Sequence, residues 1–306
     1  MPLDTFQKEI LSVIKRNRTA SSPFAGGAVL QQHGTRLSDD LDIFTEGDPG
    51  PIMEHDARAL AAAGFTVHET RSRTNFRECR VTRPEDGVAT LQWVQALALE
   101  YFKPVPDADF GQRLHFADLA ANKALAAADR AVMRDFIDLW MLDRHVMPLW
   151  RMACAASGKS PDEGPLSLVE TIARNRVPAF TRATARSRVL TTVEMPDGEP
   201  VTGLRAAMDQ AREILPHLPA ENLGRLQLDS RGMPVLDPNP VPTGEGSWAS
   251  PKLGGAMPSF EGMDGEMIEN LIAEYGAEGS RHTGQSESSG ETENRGSCDD
   301  DVDFRV

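Results

Sequence analysis

Long apolar runs are missing from these 306 residues. No stretch approaches the roughly 18 apolar residues of a membrane-crossing helix, so no membrane partner is expected. Cysteine is scarce: Cys79, Cys154 and Cys298 lie far apart, with no C-x-x-C. That leaves neither a zinc cage nor a disulfide framework. The seven histidines form no H-x-x-x-H or H-E-x-x-H pair. The opening MPLDTFQKEILSVIKRN lacks the basic start and apolar centre of a secretion signal. A cytoplasmic protein is the expectation. Positive charge is also short, the net being −14, which argues in bulk against a nucleic-acid partner. The deficit is uneven, however. From Val241 onward fourteen acidic residues stand against four basic ones, so the body before it is only mildly acidic. An RNA substrate stays open if its basic surface is local.

What is present suits a globular chain, with 40% hydrophobic residues. Leu3 to Arg16 and Met53 to Ala63 carry helical periods, the second stopped at Gly64. FAGGAVLQQHG reads as an apolar lead-in, a glycine pair and a short helix over Ala28 to Gln32. LDIF, FTVHETRSRTNFRECRVT and VATLQWVQ read as strands, with RPEDG as a turn. One long helical pattern runs from about Phe116 to about Leu142, and further helices follow around Trp150, Leu166 to Ile172, and Gly203 to Leu215. After Leu236, Pro, Gly, Ser and Glu dominate, and the last stretch cannot bury enough apolar surface to fold. Within it, DGEMIENLIAEY has the pattern of a short amphipathic helix. The organisation expected is a first domain over 1–145, a mostly helical region over 146–240 and a disordered acidic tail over 241–306.

The stretch LSDDLDIF sets three aspartates among apolar residues. On a strand, Asp40 and Asp42 share one face while Leu41 and Ile43 take the other. Asp39 points away and holds the turn. Two neighbouring carboxylates repel and resist desolvation unless Arg36 pairs with one, or unless a cation sits between them. Hard oxygen ligands at this spacing suit Mg²⁺, which takes one or two carboxylates and completes its shell with water and substrate phosphates. A bare D-x-D also fits a solvated edge strand. Upstream, Gly26 and Gly27 would let backbone N–H groups approach phosphate oxygens. Downstream, Lys123, Arg130, Arg134 and Asp138 are spaced by seven, four and four. On one continuous helix that makes a single face. Such a cationic stripe facing the aspartates would meet the charge of a triphosphate. A solvated stripe is the plainer alternative. Arg71, Arg73, Arg77, Arg80 and Arg83 cluster around the second strand pair; even spacing puts the first three on one strand face, either RNA-facing or merely solvated. SGKS at Ser157 to Ser160 lacks the earlier glycine and strand of a P-loop.

FAGGAVLQQHGTRLSDDLDIF resembles the first motif of the polymerase-beta-type nucleotidyltransferases, and most of all the AbiEii/AbiGii toxin family. DLAANKALAAADRAVMRDFIDLWML is similar to that family's later motif. Together they span Phe24 to Leu142. The resemblance implies an α/β (α+β) fold with a mixed sheet and flanking helices. It implies Mg²⁺-dependent transfer of an NMP from an NTP to an acceptor such as tRNA, by the toxin of a type IV toxin–antitoxin or abortive-infection system with a cognate antitoxin. It gives Asp40 and Asp42 the metal, Lys123 with Arg130 or Arg134 the nucleotide phosphates, and Asp138, or else Asp135, a catalytic or metal-linked role. Two departures stand out. Ala28 replaces the usual Ser or Thr after the glycines, and Gln92 stands near the place of a third carboxylate. A catalytically degenerate binding protein on the same fold, or transfer to a small molecule or a protein, are the alternatives.

Overall fold

A computed structural model of the chain describes residues 3–34, 36–38, 40–84, 87–96, 98–160, 162–186, 198–239 and 246–282. Asp39 and the last 24 residues lie outside them. The first helix, α1 (Thr5–Ile14), opens with a capping box: Asp4 accepts from the Gln7 N–H at 2.7 Å while the Gln7 side chain accepts from Asp4 N–H. Its buried face is Phe6, Ile10, Leu11 and Ile14. There follow β1 (Phe24–Ala25), α2 (Gly26–Leu30), β2 (Asp40–Thr45), α3 (Gly50–Ala62), β3 (Thr66–Arg73), β4 (Phe76–Arg83), β5 (Gly87–Gln95), β6 (Leu99–Glu100), β7 (Val105–Asp107) and β8 (Gly111–Arg113). Seven of these strands form one mixed sheet in the order β3-β4-β5-β2-β1-β8-β7. β2 is interior to that sheet, parallel to β5 and antiparallel to β1. The aspartates therefore do not lie on a solvated edge.

One face of the sheet carries Leu41, Ile43, Cys79, Val81, Leu91 and Trp93, all buried, and packs against α1 and α3. The opposite face is covered in part by α4 (Phe116–Asp129) and α5 (Met133–His145). Behind them lie α6 (Leu149–Lys159), α7 (Pro165–Arg186) and α8 (Glu199–Ile214). α4 packs on α6 and α7, and α5 on α8. The helical layer thus joins α4 and α5 to helices beyond residue 145, the end expected for the first domain.

Three expectations are corrected. The single long helix breaks after Asp129, where Arg130 and Val132 take extended backbone. No glycine or proline marks the break. It is held by tertiary partners: Asn175 Nδ2 donates to the Ala128 carbonyl at 2.7 Å, and Arg130 Nε donates to Asp135 at 2.8 Å. The arginine-rich stretch is not one strand but a hairpin turning at Thr74 and Asn75, with Arg73 opposite Phe76. Arg77 consequently lies opposite Ser72, on the other face from Arg71 and Arg73. Finally, part of the acidic tail is folded. After β9 (Leu226–Leu228) come β10 (Ser247–Ala249), paired with β9, β11 (Lys252–Leu253), paired with β6, and α9 (Gly265–His282). Met263, Met267 and Leu271 are buried. Asp264 is buried too, accepting from Arg113 Nη1 and Nη2 at 2.7 and 3.0 Å and from the Phe116 N–H at 3.1 Å. Composition averaged over the tail hid this anchor.

Breaking a buried ion pair by removing one partner strands the other charge, at a cost of about 3–5 kcal/mol. Asp264→Ala leaves Arg113 with Asp107 alone, at 2.7 Å, and is therefore expected to destabilise the protein by about 3 kcal/mol, the lower end of that range, read as the shift in a urea unfolding midpoint at unchanged slope.

Candidate active site

The site grows out of the β1–α2–β2 turn. Ala25 on β1 lies opposite Asp42 on β2. The next residue, Gly26, has φ +70°, a left-handed backbone that favours glycine. A Cβ there would stand 1.9 Å from Asp42 Oδ2. At Gly27 a Cβ would meet Arg36 Nη2 at 2.6 Å. The glycine pair is thus required by close approach of the bare backbone to Asp42 and Arg36. Ala28 faces the core, fully buried, and does not line the pocket, so the hydroxyl missing at that position leaves no gap there. Ser38 does line it, its Oγ donating to the Asp40 carbonyl at 3.0 Å.

Strand alternation turns Asp40 and Asp42 together into a cavity of about 370 Å³. Its floor is the sheet face, with Gln92, Phe44, Val94 and Phe76 beside the aspartates. Its opposite wall is α4 and the start of α5, with Asn122, Lys123, Arg130 and Arg134. Arg134 Nη1 lies 3.4 Å from Asp40 Oδ2. Burial and the neighbouring Asp40 push the Asp42 carboxyl up to about 6, against the pull of Lys123, Arg134 and Arg130. Two carboxylates so placed suit a divalent cation. Among the described residues no set of three or more His, Cys, Asp or Glu side chains converges. Two protein carboxylates are what Mg²⁺ commonly takes, with phosphates and water completing its shell. Gln92, opposite Asp42 on β5, adds an amide where a third carboxylate was expected, and its Nε2 donates to Glu78 at 3.1 Å.

Asp138, the residue expected in a catalytic or metal-linked role, lies buried behind the cavity wall. It is 1% exposed and does not line the cavity. Its oxygens accept from Arg36 Nε at 2.7 Å and Nη2 at 3.0 Å and from Gln31 Nε2 at 2.9 Å, with Lys123 Nζ 3.0 Å away. Asp135, also buried, holds Lys123 Nζ at 2.9 Å and Arg130 Nε at 2.8 Å. Burial would raise both carboxyls, but Lys123 with Arg130 beside Asp135, and Lys123 with Arg36 beside Asp138, hold them below the usual carboxylate range. Arg36 therefore pairs with Asp138 rather than with an aspartate of β2. The structure gathers Gly26, Gly27, Asp40, Asp42, Lys123, Arg130 and Arg134 around one cavity. It does so with two helices, not the one stripe their spacing suggested. His33 lies apart from the cavity, and Lys159 of the SGKS stretch is buried against Glu100 and Asp118. Arg36 and Ser38, which fall at fixed spacing before Asp40 in the first motif, also line the cavity, while Asn122 was missed in the sequence because it carries no spacing signal and only packing brings it in.

A sequence model described as nucleotidyl transferase AbiEii toxin, type IV toxin–antitoxin system, matches residues 23–191, more than half of the chain. The chain belongs to the AbiEii family. It is accordingly a nucleotidyltransferase of the toxin type, and membership implies a nucleotide substrate and an antitoxin partner. Among solved structures it is similar to MenT4, a nucleotidyltransferase toxin from Mycobacterium tuberculosis H37Rv, with 18% identity and a TM-score of 0.49, over 71% of this chain and 83% of that one. A likeness so distant carries no residue correspondence. No curated protein sequence matches significantly. No helix among the described residues is long and apolar enough to cross a membrane.

Two outcomes separate the pocket acids from their anchors. Asp138→Ala leaves Arg36 and Lys123 buried and is expected to cost about 3–5 kcal/mol in denaturant unfolding, while Asp40→Ala stays within about 1 kcal/mol of the parent. Asp42 gives a pH signature. Its folded carboxyl lies above its ordinary value, so its contribution to stability is present below about pH 4 and lost as the pH rises through about 6. Asp42→Asn in metal-free buffer is therefore expected to be more stable than the parent at pH 7, by on the order of 1–2 kcal/mol. Thermal melts across pH 4–8 should show that gap closing toward pH 4.

Proposed function

We propose that the chain moves an NMP from an NTP to the terminal hydroxyl of an RNA acceptor, tRNA being the class that the resemblance suggests, with Mg²⁺ held by Asp40 and Asp42. The observation that carries this is the pairing of two adjacent carboxylates, one already resisting ionisation, with three cations across a cavity of about 370 Å³. Mg²⁺ bound there would draw charge from the α-phosphate and from the attacking oxygen.

The chain's own residues do the rest. Gly26 and Gly27 line the cavity, and their bare backbone lets Asp42 and Arg36 pack against it, which holds Asp42 at the place the phosphates would enter. The acceptor oxygen forms a bond to the α-phosphorus as the bond to the bridging oxygen breaks, and pyrophosphate departs with the charge. Lys123, Arg130 and Arg134 meet that charge. The acceptor's proton goes to solvent. Asp135 and Asp138 are positioning residues: they fix Lys123, Arg130 and Arg36, so these side chains are placed before binding. The intact Asp40, Asp42 and Lys123 favour catalysis over a degenerate binding role.

Purified protein incubated with Mg²⁺, total tRNA and each α-labelled NTP in turn tests this. Label is expected in RNA with the wild type and at least about 100-fold less with Asp40→Asn/Asp42→Asn. Label in a protein or a small molecule alone would replace the acceptor. No label anywhere, and no Mg²⁺-dependent NTP binding, would leave only the binding-protein reading.

A further inference from the structure

Cross-strand pairing lines up residues of four strands into rows that start at the pocket. Asp40 neighbours Thr90 on β5, then Arg80 on β4, then His68 on β3. Asp42 neighbours Gln92, Glu78 and Arg71 in the same way. Phe44 neighbours Val94, Phe76 and Arg73. Directly paired side chains share a sheet face. His68, Arg71, Arg73 and Arg80 therefore stand on the face of the two aspartates, and all four are exposed. Phe76, half-buried, marks where this face meets the cavity.

The two faces of the hairpin treat arginine differently. On the far face Arg77 lies 3.6 Å from Glu69, and Arg83 is bonded to Glu9. On the pocket face Arg71 lies 3.6 Å from Glu78, whose carboxylate also accepts from Thr70 and Gln92. Arg73 and Arg80 have no carboxylate within ion-pair reach among the described residues. Charge on an edge strand by itself deters aggregation, but that purpose asks for no sorting between faces. The face is cationic, open and continuous with the aspartate pair.

We infer that this face is the track along which the backbone of the RNA acceptor lies, its terminal hydroxyl leading into the cavity. The inference rests on the nucleotidyl-transfer reading given above. Three strand spacings of about 4.8 Å separate β2 from β3, about 14 Å in all. That outreaches a small-molecule acceptor and matches several phosphates spaced about 3.4 Å along a stacked strand. Arg71, Arg73 and Arg80 offer donors to successive phosphates, and Phe76 offers an aromatic surface to the last base.

Fluorescein-labelled total tRNA, titrated over a range of KCl concentrations, tests the track. The variants are Arg73→Glu/Arg80→Glu, the milder Arg73→Gln/Arg80→Gln, and the charge-matched Lys8→Glu/Arg58→Glu on α1 and α3 behind the sheet. The first is expected to weaken binding at least tenfold, the second by less, and the control by under threefold. The glutamine pair should flatten the log–log salt dependence by about 1.4–1.8, as two lost phosphate contacts require. Mg²⁺-dependent binding of a fluorescent NTP is measured on every variant to show the cavity intact. If the Arg73/Arg80 variants bind tRNA as the control does while NTP binding holds, the track is overturned and RNA as acceptor stands. If the wild type binds NTP but no tRNA at any salt concentration, RNA as acceptor falls and the track with it.

Discussion

The cavity depends on one buried network of charge, in which Asp135 and Asp138 on α5 grip Lys123 on α4 from two sides. Neither carboxylate reaches the cavity, yet each decides what the cavity presents. Asp138 also binds Arg36 from the segment before β2, and Asp135 binds Arg130 from the break between the helices. Three separate pieces of chain are thus fixed relative to one another by two acids. Buried charge is costly unless fully paired. Here every partner is present, so the arrangement is specific: a small displacement of α5 would strand Lys123 and Arg36 at once. Lys123 and Arg130, two of the cations that line the cavity, owe their positions to that constraint rather than to the nucleotide.

The aspartate pair is held by a different device. Asp42 lies against Gly26, whose backbone geometry admits no side chain without collision. The interior strand β2 places Asp40 and Asp42 under the cations, while Leu41 and Ile43 anchor the same strand in the core. One half of each residue pair is structural and the other chemical, divided by the two-residue period of the strand. The resulting carboxyl at Asp42, shifted up to about 6 by burial and by Asp40, is a local store of unfavourable electrostatics. A divalent cation bound between the two carboxylates would relieve it.

Support for the helical layer comes partly from the far end of the chain. Asp264, just before α9, enters the core to bind Arg113 on β8 and the N–H of Phe116 at the start of α4. Lys159 at the end of α6 is likewise buried with Glu100 and Asp118, and Asp118 accepts from the Tyr101 and Phe102 N–H groups. α4 is therefore clamped at its first turn by groups from β6, α6 and the segment before α9. That rigidity passes to Lys123, one and a half turns further along.

Local sequence determined a good deal: the period-two placement of Asp40 and Asp42, the need for glycine before them, the strands around them and the helices at Thr5, Gly50 and Leu149 all follow from short-range pattern. So does the short helix in the acidic tail, because its apolar spacing is local. What short-range pattern left undecided lies where packing overrides propensity. The stretch from Phe116 to Leu142 has no breaker, yet two helices form because Asn175 and Asp135 satisfy the groups exposed at the break. Asp138 sits in a helical motif at a spacing that suits catalysis, but the fold buries it against Arg36, a residue 102 positions away. Arg77 parts from Arg71 and Arg73 because a two-residue turn reverses the strand. Asp264 sits among acidic, glycine-rich neighbours and still enters the core, since a buried arginine waits there. Periodicity reports which way a side chain points within its own element. Which distant group it meets is decided only when the elements pack, because burial makes an unpaired charge too costly to leave alone.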